Sequence, residues 1–155
     1  ASCYCPANQF RSFDEEEFGG VLGGARIAAM RDFIEARFRY LPGSSDAETT
    51  ALETFVRRQG VCRDFTHMLI TLARASTIPA RFASVYAIGV DPPDFHAVAG
   101  VFLDGAWHLV DPTGMADAGS MAKIGIGRDA ADVAFLTSFG PVEMLAQSVA
   151  VTKVA

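Results

Sequence analysis

Cysteine is scarce in this chain: 155 residues hold three, Cys3, Cys5 and Cys62. An odd count excludes a fully paired disulfide framework and fits a reducing, cytoplasmic setting. Histidine is equally scarce, at positions 67, 96 and 108, with no metal-ligand spacing. Cys3 and Cys5 form a lone Cys-x-Cys beside Pro6 and lack two further ligands for zinc, so they read as thiols of an extended N-terminal segment. No apolar run approaches the roughly 18–20 residues that span a bilayer, and no basic-then-apolar leader opens the chain. Positive charge is in deficit, 13 Lys and Arg against 18 Asp and Glu, for a net charge of −5. The basic residues are scattered, without the stripe that marks a nucleic-acid or anionic-membrane partner. Neither partner is expected, and no cofactor or metal. There is no internal repeat and no low-complexity tract. The first residue is Ala1 rather than Met, which fits a processed chain or a domain excised from a longer one.

What is present is ordinary globular composition, 50% hydrophobic and 20% charged. The length suits one domain over residues 1–155 and a core that needs no disulfides. Residues 1–18 are aromatic and acidic, with Asp14–Glu17 expected as a solvated run leading into a helix. From Ala25 to Arg39, Ile27, Met30, Phe33, Ile34 and Phe38 recur at three- and four-residue steps, the period of an amphipathic helix. Tyr40-Leu41-Pro42-Gly43 reads as a turn. Ser45 and Glu48 fit a capping box for a second helix, Asp46 to Arg58, burying Leu52, Phe55 and Val56 and stopped by Gly60. A third helix, Cys62 to Ala75, carries Phe65, Met68, Leu69, Leu72 and Ala73 on a broad apolar face and is expected at the centre. Arg81–Ala87, Phe95–Phe102 and Ala106–Val110 read as strands. The last two join at Asp104-Gly105, a strong two-residue hairpin signal. Ala130–Leu136 suggests a short helix and Val149–Val154 a final strand.

Cys62 opens the expected central helix. The first turn of a helix has unpaired N–H groups and a partial positive charge of roughly half a unit. Both favour thiolate over thiol. Gly60 just ahead of it permits close approach of another chain segment. Position alone favours the other reading, a buried structural cysteine.

The histidines discriminate. With a two-residue turn at Asp104-Gly105, Leu103 faces Ala106 and Val98 faces Asp111. Side chains alternate along a strand, so His96 shares a face with Val98 and Asp111. His96 and Asp111 are then diagonal neighbours, about 7–8 Å apart at the backbone and within reach of an imidazole–carboxylate hydrogen bond. The same register sets His108 opposite Val101 on the other face, as a rim residue. His67 lies about 140° round the helix from Cys62 and is expected as a helix-surface polar residue. A histidine oriented by a carboxylate, opposite a cysteine at a helix start, is the arrangement of an activated nucleophile.

Gly60-Val61-Cys62-Arg63-Asp64-Phe65, Ile78-Pro79-Ala80-Arg81, Asp94-Phe95-His96-Ala97 and Trp107-His108-Leu109-Val110-Asp111-Pro112-Thr113 together resemble the bacterial transglutaminase-like superfamily over about residues 20–140. The stretch Ile124–Gly140, including Gly127-Arg128-Asp129-Ala130-Ala131-Asp132, is similar to the tail of that subgroup. The resemblance implies a papain-like α+β fold, with a cysteine-bearing central helix packed on an antiparallel sheet. It also implies Cys62 as nucleophile, His96 as base and Asp111 as orienting carboxylate. A side chain ahead of the cysteine supplies an oxyanion donor in this superfamily, and Tyr40 and Gln59 are both candidates. The chain departs from the pattern at Gly100, where such proteins often carry an acidic residue. It also lacks their β-rich N-terminal region, so it is expected to be the catalytic domain of something longer. Asp91, Asp94, Asp104 and Asp117 read as turn residues rather than calcium ligands.

The expected activity is therefore thiol-dependent acyl transfer on a peptide or protein substrate, with hydrolysis of an amide favoured. Transamidation to an amine and a non-catalytic binding module are the alternatives. A redox sensor at Cys62 lacks an evident resolving cysteine. Substrate identity and oligomeric state are not legible in the sequence.

Overall fold

The computed structural model describes residues 2–154. Its axis is α4, Cys62–Ala75, which matches the expected central helix end to end. Phe65, Met68, Leu69, Ile70, Leu72 and Ala73 of α4 are all buried. Burial runs nearly all round the helix, taking in the polar Thr66, His67 and Thr71, because neighbours cover both sides. The helices α2 (Gly23–Arg37) and α3 (Ala51–Arg57) pack on one side, strands β3 (Ala80–Ala87) and β4 (His96–Leu103) on the other.

The sheet is antiparallel, in the order β5–β4–β3–β6, with β5 spanning Ala106–Val110 and β6 Met121–Gly127. Leu103 pairs with Ala106 and Ala99 with Val110, the register expected from the hairpin. Asp104 and Gly105 both have positive φ, 50° and 82°, as a type I′ turn requires. A helical layer on an antiparallel sheet is the α+β architecture anticipated from the sequence. Among the described residues, no helix is long and apolar enough to cross a membrane.

Aromatic packing closes the helical side. Phe10, Phe13, Phe33, Phe38, Phe55 and Phe65 meet mostly edge to face, with neighbouring ring centroids 4.9–6.5 Å apart. Edge-to-face contact aligns a positive ring edge with a negative ring face. The Arg58 guanidinium lies 4.0 Å from the Phe55 ring centroid and 5.1 Å from that of Phe38.

Several local expectations are corrected. The second helix begins at Ala51, not Asp46, because Thr50 and Glu53 form the reciprocal capping box. The Ser45 hydroxyl is drawn away to donate to Asp64 Oδ2 at 2.5 Å. That helix buries Ala51 and Thr54, and leaves Leu52 and Val56 exposed. Arg58, in the left-handed region at φ 54°, ends it. Gly60 instead lies in β2 (Gln59–Gly60), paired in parallel with β1 (Arg39–Tyr40).

The acidic run is helical: α1 covers Arg11–Phe18, and Asp14 is buried against Arg26, 2.7 Å away. Residues 130–136 form turns rather than a helix, and 149–154 carry no strand. The fourth strand of the sheet is β6. Its isoleucines, Ile124 and Ile126, are exposed, and its glycines face the packed side: a Cβ at Gly125 would stand 2.9 Å from Val133 Cγ1. The apolar alternation on this strand is inverted, which hides it from pattern reading.

Candidate active site

Cys62 stands at the first position of α4. Asp64 in the same turn holds that end together. Its Oδ2 accepts from the Val61 N–H at 2.8 Å, while Oδ1 accepts from the Arg63 guanidinium at 2.8 Å. Asp64 is fully buried, and a carboxylate in the first turn also favours the helix dipole. Gly60 makes this possible: a Cβ there would lie 2.7 Å from Asp64 Cβ. The close approach anticipated at Gly60 is thus by its own helix.

The parallel pairing of Tyr40 with Gly60 brings Tyr40 beside the helix start. Its ring meets Phe65 edge to face at 5.9 Å. Burial, together with the neighbouring Cys62 sulfur, pushes its hydroxyl up to about 12. Tyr40 therefore stays protonated and able to donate at neutral pH. Gln59 is turned elsewhere: its Oε1 accepts from the Arg39 guanidinium at 3.0 Å. Of the two oxyanion candidates, only Tyr40 is brought to Cys62.

His96 opens β4, and its Nε2 lies 2.8 Å from Asp111 Oδ2, both residues buried. Asp111 follows β5 directly and is locked by the turn after it. Oδ1 accepts from the Thr113 N–H at 2.9 Å and the Thr113 hydroxyl at 2.7 Å. Oδ2 also accepts from the Ala116 N–H at 3.0 Å. The carboxylate is thus aimed from four directions, of which the strand register foresaw one. The Asp-Pro-Thr turn was the available signal for Thr113; nothing in the sequence pointed to Ala116.

Burial alone would lower the pKa of His96. Hydrogen bonds to Asp111 and Cys62, with the charge of both, outweigh it and raise it to about 9. Burial of Asp111 is likewise outweighed, by His96 and then Thr113, which hold its carboxyl below the usual value. With Nε2 engaged by Asp111, Nδ1 is the ring nitrogen left for Cys62.

Cys62 and His96 line one cleft of about 610 Å³. Its walls are largely apolar, including Phe82, Phe95, Val133 and Phe135, and it carries Asp46 and Asp94. Sequence reading missed the contribution of residues 130–136, which it took for a short helix.

The other candidates lie apart. His108 is exposed, with Nε2 3.3 Å from the Leu103 carbonyl, at the rim as expected. His67 corrects its expectation: it is fully buried, since α4 is covered on both sides. The Arg81 guanidinium lies over the Trp107 ring at 3.8 Å. Gly100 leaves the room, for a Cβ there would meet Arg81 Cγ at 3.2 Å. Cys5 is buried, with its thiol donating to the His67 carbonyl at 3.7 Å.

Comparison with known proteins agrees with this architecture. A candidate cysteine protease from Cytophaga hutchinsonii, solved by crystallography, is 39% identical with a TM-score of 0.83, over 86% of this chain and 46% of that one. LapG of Legionella pneumophila, at 13% identity and a TM-score of 0.53 over 83% and 84% of the two chains, shares the fold. An uncharacterised protein of Mycobacterium leprae is 30% identical over 122 residues, 71% of this chain and 42% of the relative. The chain spans less than half the length of the Cytophaga and mycobacterial relatives. The family profile described as transglutaminase-like superfamily matches residues 19–112, a range that takes in Cys62, His96 and Asp111. The chain belongs to the transglutaminase-like superfamily.

Proposed function

We propose that the protein is a cysteine hydrolase that cleaves a peptide or side-chain amide through an acyl-enzyme on Cys62. The observation that carries this reading is the buried 2.8 Å His96–Asp111 pair, opening onto the same cleft as a cysteine at a helix start.

In the first half-reaction the Cys62 sulfur, its proton already held by His96 Nδ1, attacks the amide carbonyl carbon. A C–S bond forms and the carbonyl electron pair moves onto oxygen. The Cys62 backbone N–H and the Tyr40 hydroxyl supply donors for that oxyanion. As the oxyanion collapses the C–N bond breaks, and the imidazolium gives its proton to the leaving amine. In the second half, water gives a proton to His96 and its oxygen attacks the thioester. The carboxylic acid departs and the thiol is restored. Asp111 stabilises the imidazolium and fixes the ring tautomer throughout.

A panel of peptide, glutamine and isopeptide substrates, assayed with wild type, Cys62→Ala and His96→Ala, tests the reading. Wild type should release an amine, and both variants should lose this activity. An activity that survives Cys62→Ala would overturn it. Adding glycine ethyl ester as amine acceptor separates the two outcomes of acyl transfer. Free acid as the main product supports hydrolysis, and a new amide would make the protein a transglutaminase.

A further inference from the structure

The part of the cleft wall built by residues 130–136 has no regular secondary structure, yet it is tied to the nucleophile helix from inside. The Ala130 N–H donates to His67 Nε2 at 3.1 Å. The His67 ring is fully buried between two aromatic rings. Tyr4 stacks on it with centroids 4.7 Å apart and an interplanar angle of 16°, and Phe82 leans against it at 5.3 Å. Tyr4, Phe82 and Ala130 all line the cleft that holds Cys62. One imidazole, five residues along the helix from the sulfur, thus touches three members of the wall from behind.

The wall is also fastened at its flanks. Asp129, buried, accepts from the Ala131 N–H at 3.0 Å and from the Ser2 hydroxyl. Arg128 and Asp132 pair at 2.8 Å. Phe135 stacks on Phe95 at 5.5 Å and 22°, immediately beside His96. Packing and hydrogen bonds that lock a loop's conformation let it hold side chains in place against a ligand. What it presents is apolar: Val133, Phe135 and Leu136, facing a cleft completed by Tyr4, Phe82 and Phe95. The lining carboxylates are Asp46 and Asp94, and the one guanidinium, Arg63, is engaged by Asp64 and by the Asp46 carbonyl. An apolar group gains by filling such a wall, and an anionic one meets like charge.

Resting on the cysteine-hydrolase reading, we propose that residues 130–136 form a subsite for an apolar, aromatic-sized side chain of the acyl group, and that His67 is the positioning residue that sets this subsite against Cys62. Neutral imidazole is required, because Nε2 must accept. Burial, with Arg63 adding to it, lowers the His67 pKa to about 4 and keeps the ring in that state at neutral pH.

Alkylation of Cys62 reads this without a known substrate. Three probes of one reactive group are compared: iodoacetamide, its N-(2-phenylethyl) derivative and iodoacetate. Rates are taken from mass-spectrometric peptide maps, which separate Cys62 from the exposed Cys3. In wild type the phenylethyl probe should exceed iodoacetamide at Cys62 at least tenfold, with saturation, and iodoacetate should be slowest. Phe135→Ala, at an exposed position outside the core, should lower the ratio of the phenylethyl rate to the iodoacetamide rate severalfold. His67→Phe keeps the ring stack and loses the acceptor, and should do the same; His67→Gln, which restores an acceptor, should recover most of the preference. Ala130→Pro deletes the donor from the loop side, so it reports on the same bond if His67→Phe fails to fold.

Equal rates for the phenylethyl and plain probes in wild type would overturn the subsite. A preference lost in Phe135→Ala but intact in both His67→Phe and Ala130→Pro would overturn the role of His67. Iodoacetamide reacting no faster at Cys62 than at Cys3 is a different failure, that of the cysteine-hydrolase reading itself.

Discussion

At the scale of single residues, sulfur chemistry and folding are separable. Cys62 carries no disulfide, and replacing its sulfur by oxygen changes volume little. Cys62→Ser should therefore lose amide hydrolysis by several orders of magnitude and unfold close to wild type in a thermal melt. Asp111→Asn leaves the His96 base present but disturbs its tautomer, which in analogous triads costs up to about ten-thousand-fold in kcat. The pH profile carries a signature of the same pair. In the proposed mechanism protonated His96 donates to the leaving amine, and its pKa is raised to about 9 by Asp111 and Cys62 against burial. Hydrolysis should accordingly fall as pH rises through about 9. In Asp111→Asn the charge that raises it is gone, so this alkaline limb should move to lower pH. A limb that stays in place would detach Asp111 from His96.

At the scale of elements, α4 holds the molecule together and the shorter pieces aim at its N-terminal end. Leu69 is fully buried in the middle of α4, so Leu69→Ala should cost roughly 2–5 kcal/mol in denaturant unfolding. If Cys62→Ser proved as destabilising as Leu69→Ala, Cys62 would be a packing residue and the hydrolase reading would fail. The cap of α3 offers a milder test. Thr50 Oγ1 accepts from the Glu53 N–H at 3.3 Å, and Glu53 Oε2 accepts from the Thr50 N–H at 2.8 Å. Thr50→Ala should cost about 1 kcal/mol, and Ser45→Ala should leave this helix unaffected because Ser45 serves Asp64. The hairpin was legible because its turn needs two positive φ values and Asp-Gly supplies them. The capping box was misread because Ser45–Glu48 and Thr50–Glu53 both fit the pattern, and only Asp64, distant in sequence, decides which serine or threonine is free to cap.

At the scale of the whole molecule, two buried histidines pull stability in opposite directions with pH. His96 has a pKa raised from 6.5 to about 9, so its contribution is complete below about 6.5 and lost as pH rises through about 9. His67 has its pKa lowered to about 4, so the unfolded chain binds the extra proton and stability falls as pH drops from about 6.5 towards 4. Asp111, held low, adds to the acid side. The melting temperature should therefore pass through a maximum near pH 6.5. His96→Gln should flatten the alkaline limb and also reduce the share that Asp111 holds on the acid side, and His67→Gln should flatten only the part of the acid limb between about 6.5 and 4. A maximum that shifts to neither side in either variant would mean that other groups govern the pH dependence.

The sequence by itself determined the central helix, the hairpin register and the pairing of His96 with Asp111. Each follows from local rules: a 3.6-residue period, the φ requirement of a two-residue turn and the strict alternation of strand side chains. It could not determine what depends on segments far apart in the chain. Tyr40 is chosen over Gln59 because a two-residue parallel bridge turns one towards Cys62 and leaves the other to Arg39. His67 is interior because α4 is covered on both flanks, which its own pattern does not reveal. The strand at 121–127 escapes notice because its isoleucines face outward and its glycines inward, against Val133. Periodicity reports which face of an element is apolar, but burial is decided by what the rest of the chain brings to that face. Only the tertiary structure brings the 130–136 loop over Cys62 and gives the cleft its wall.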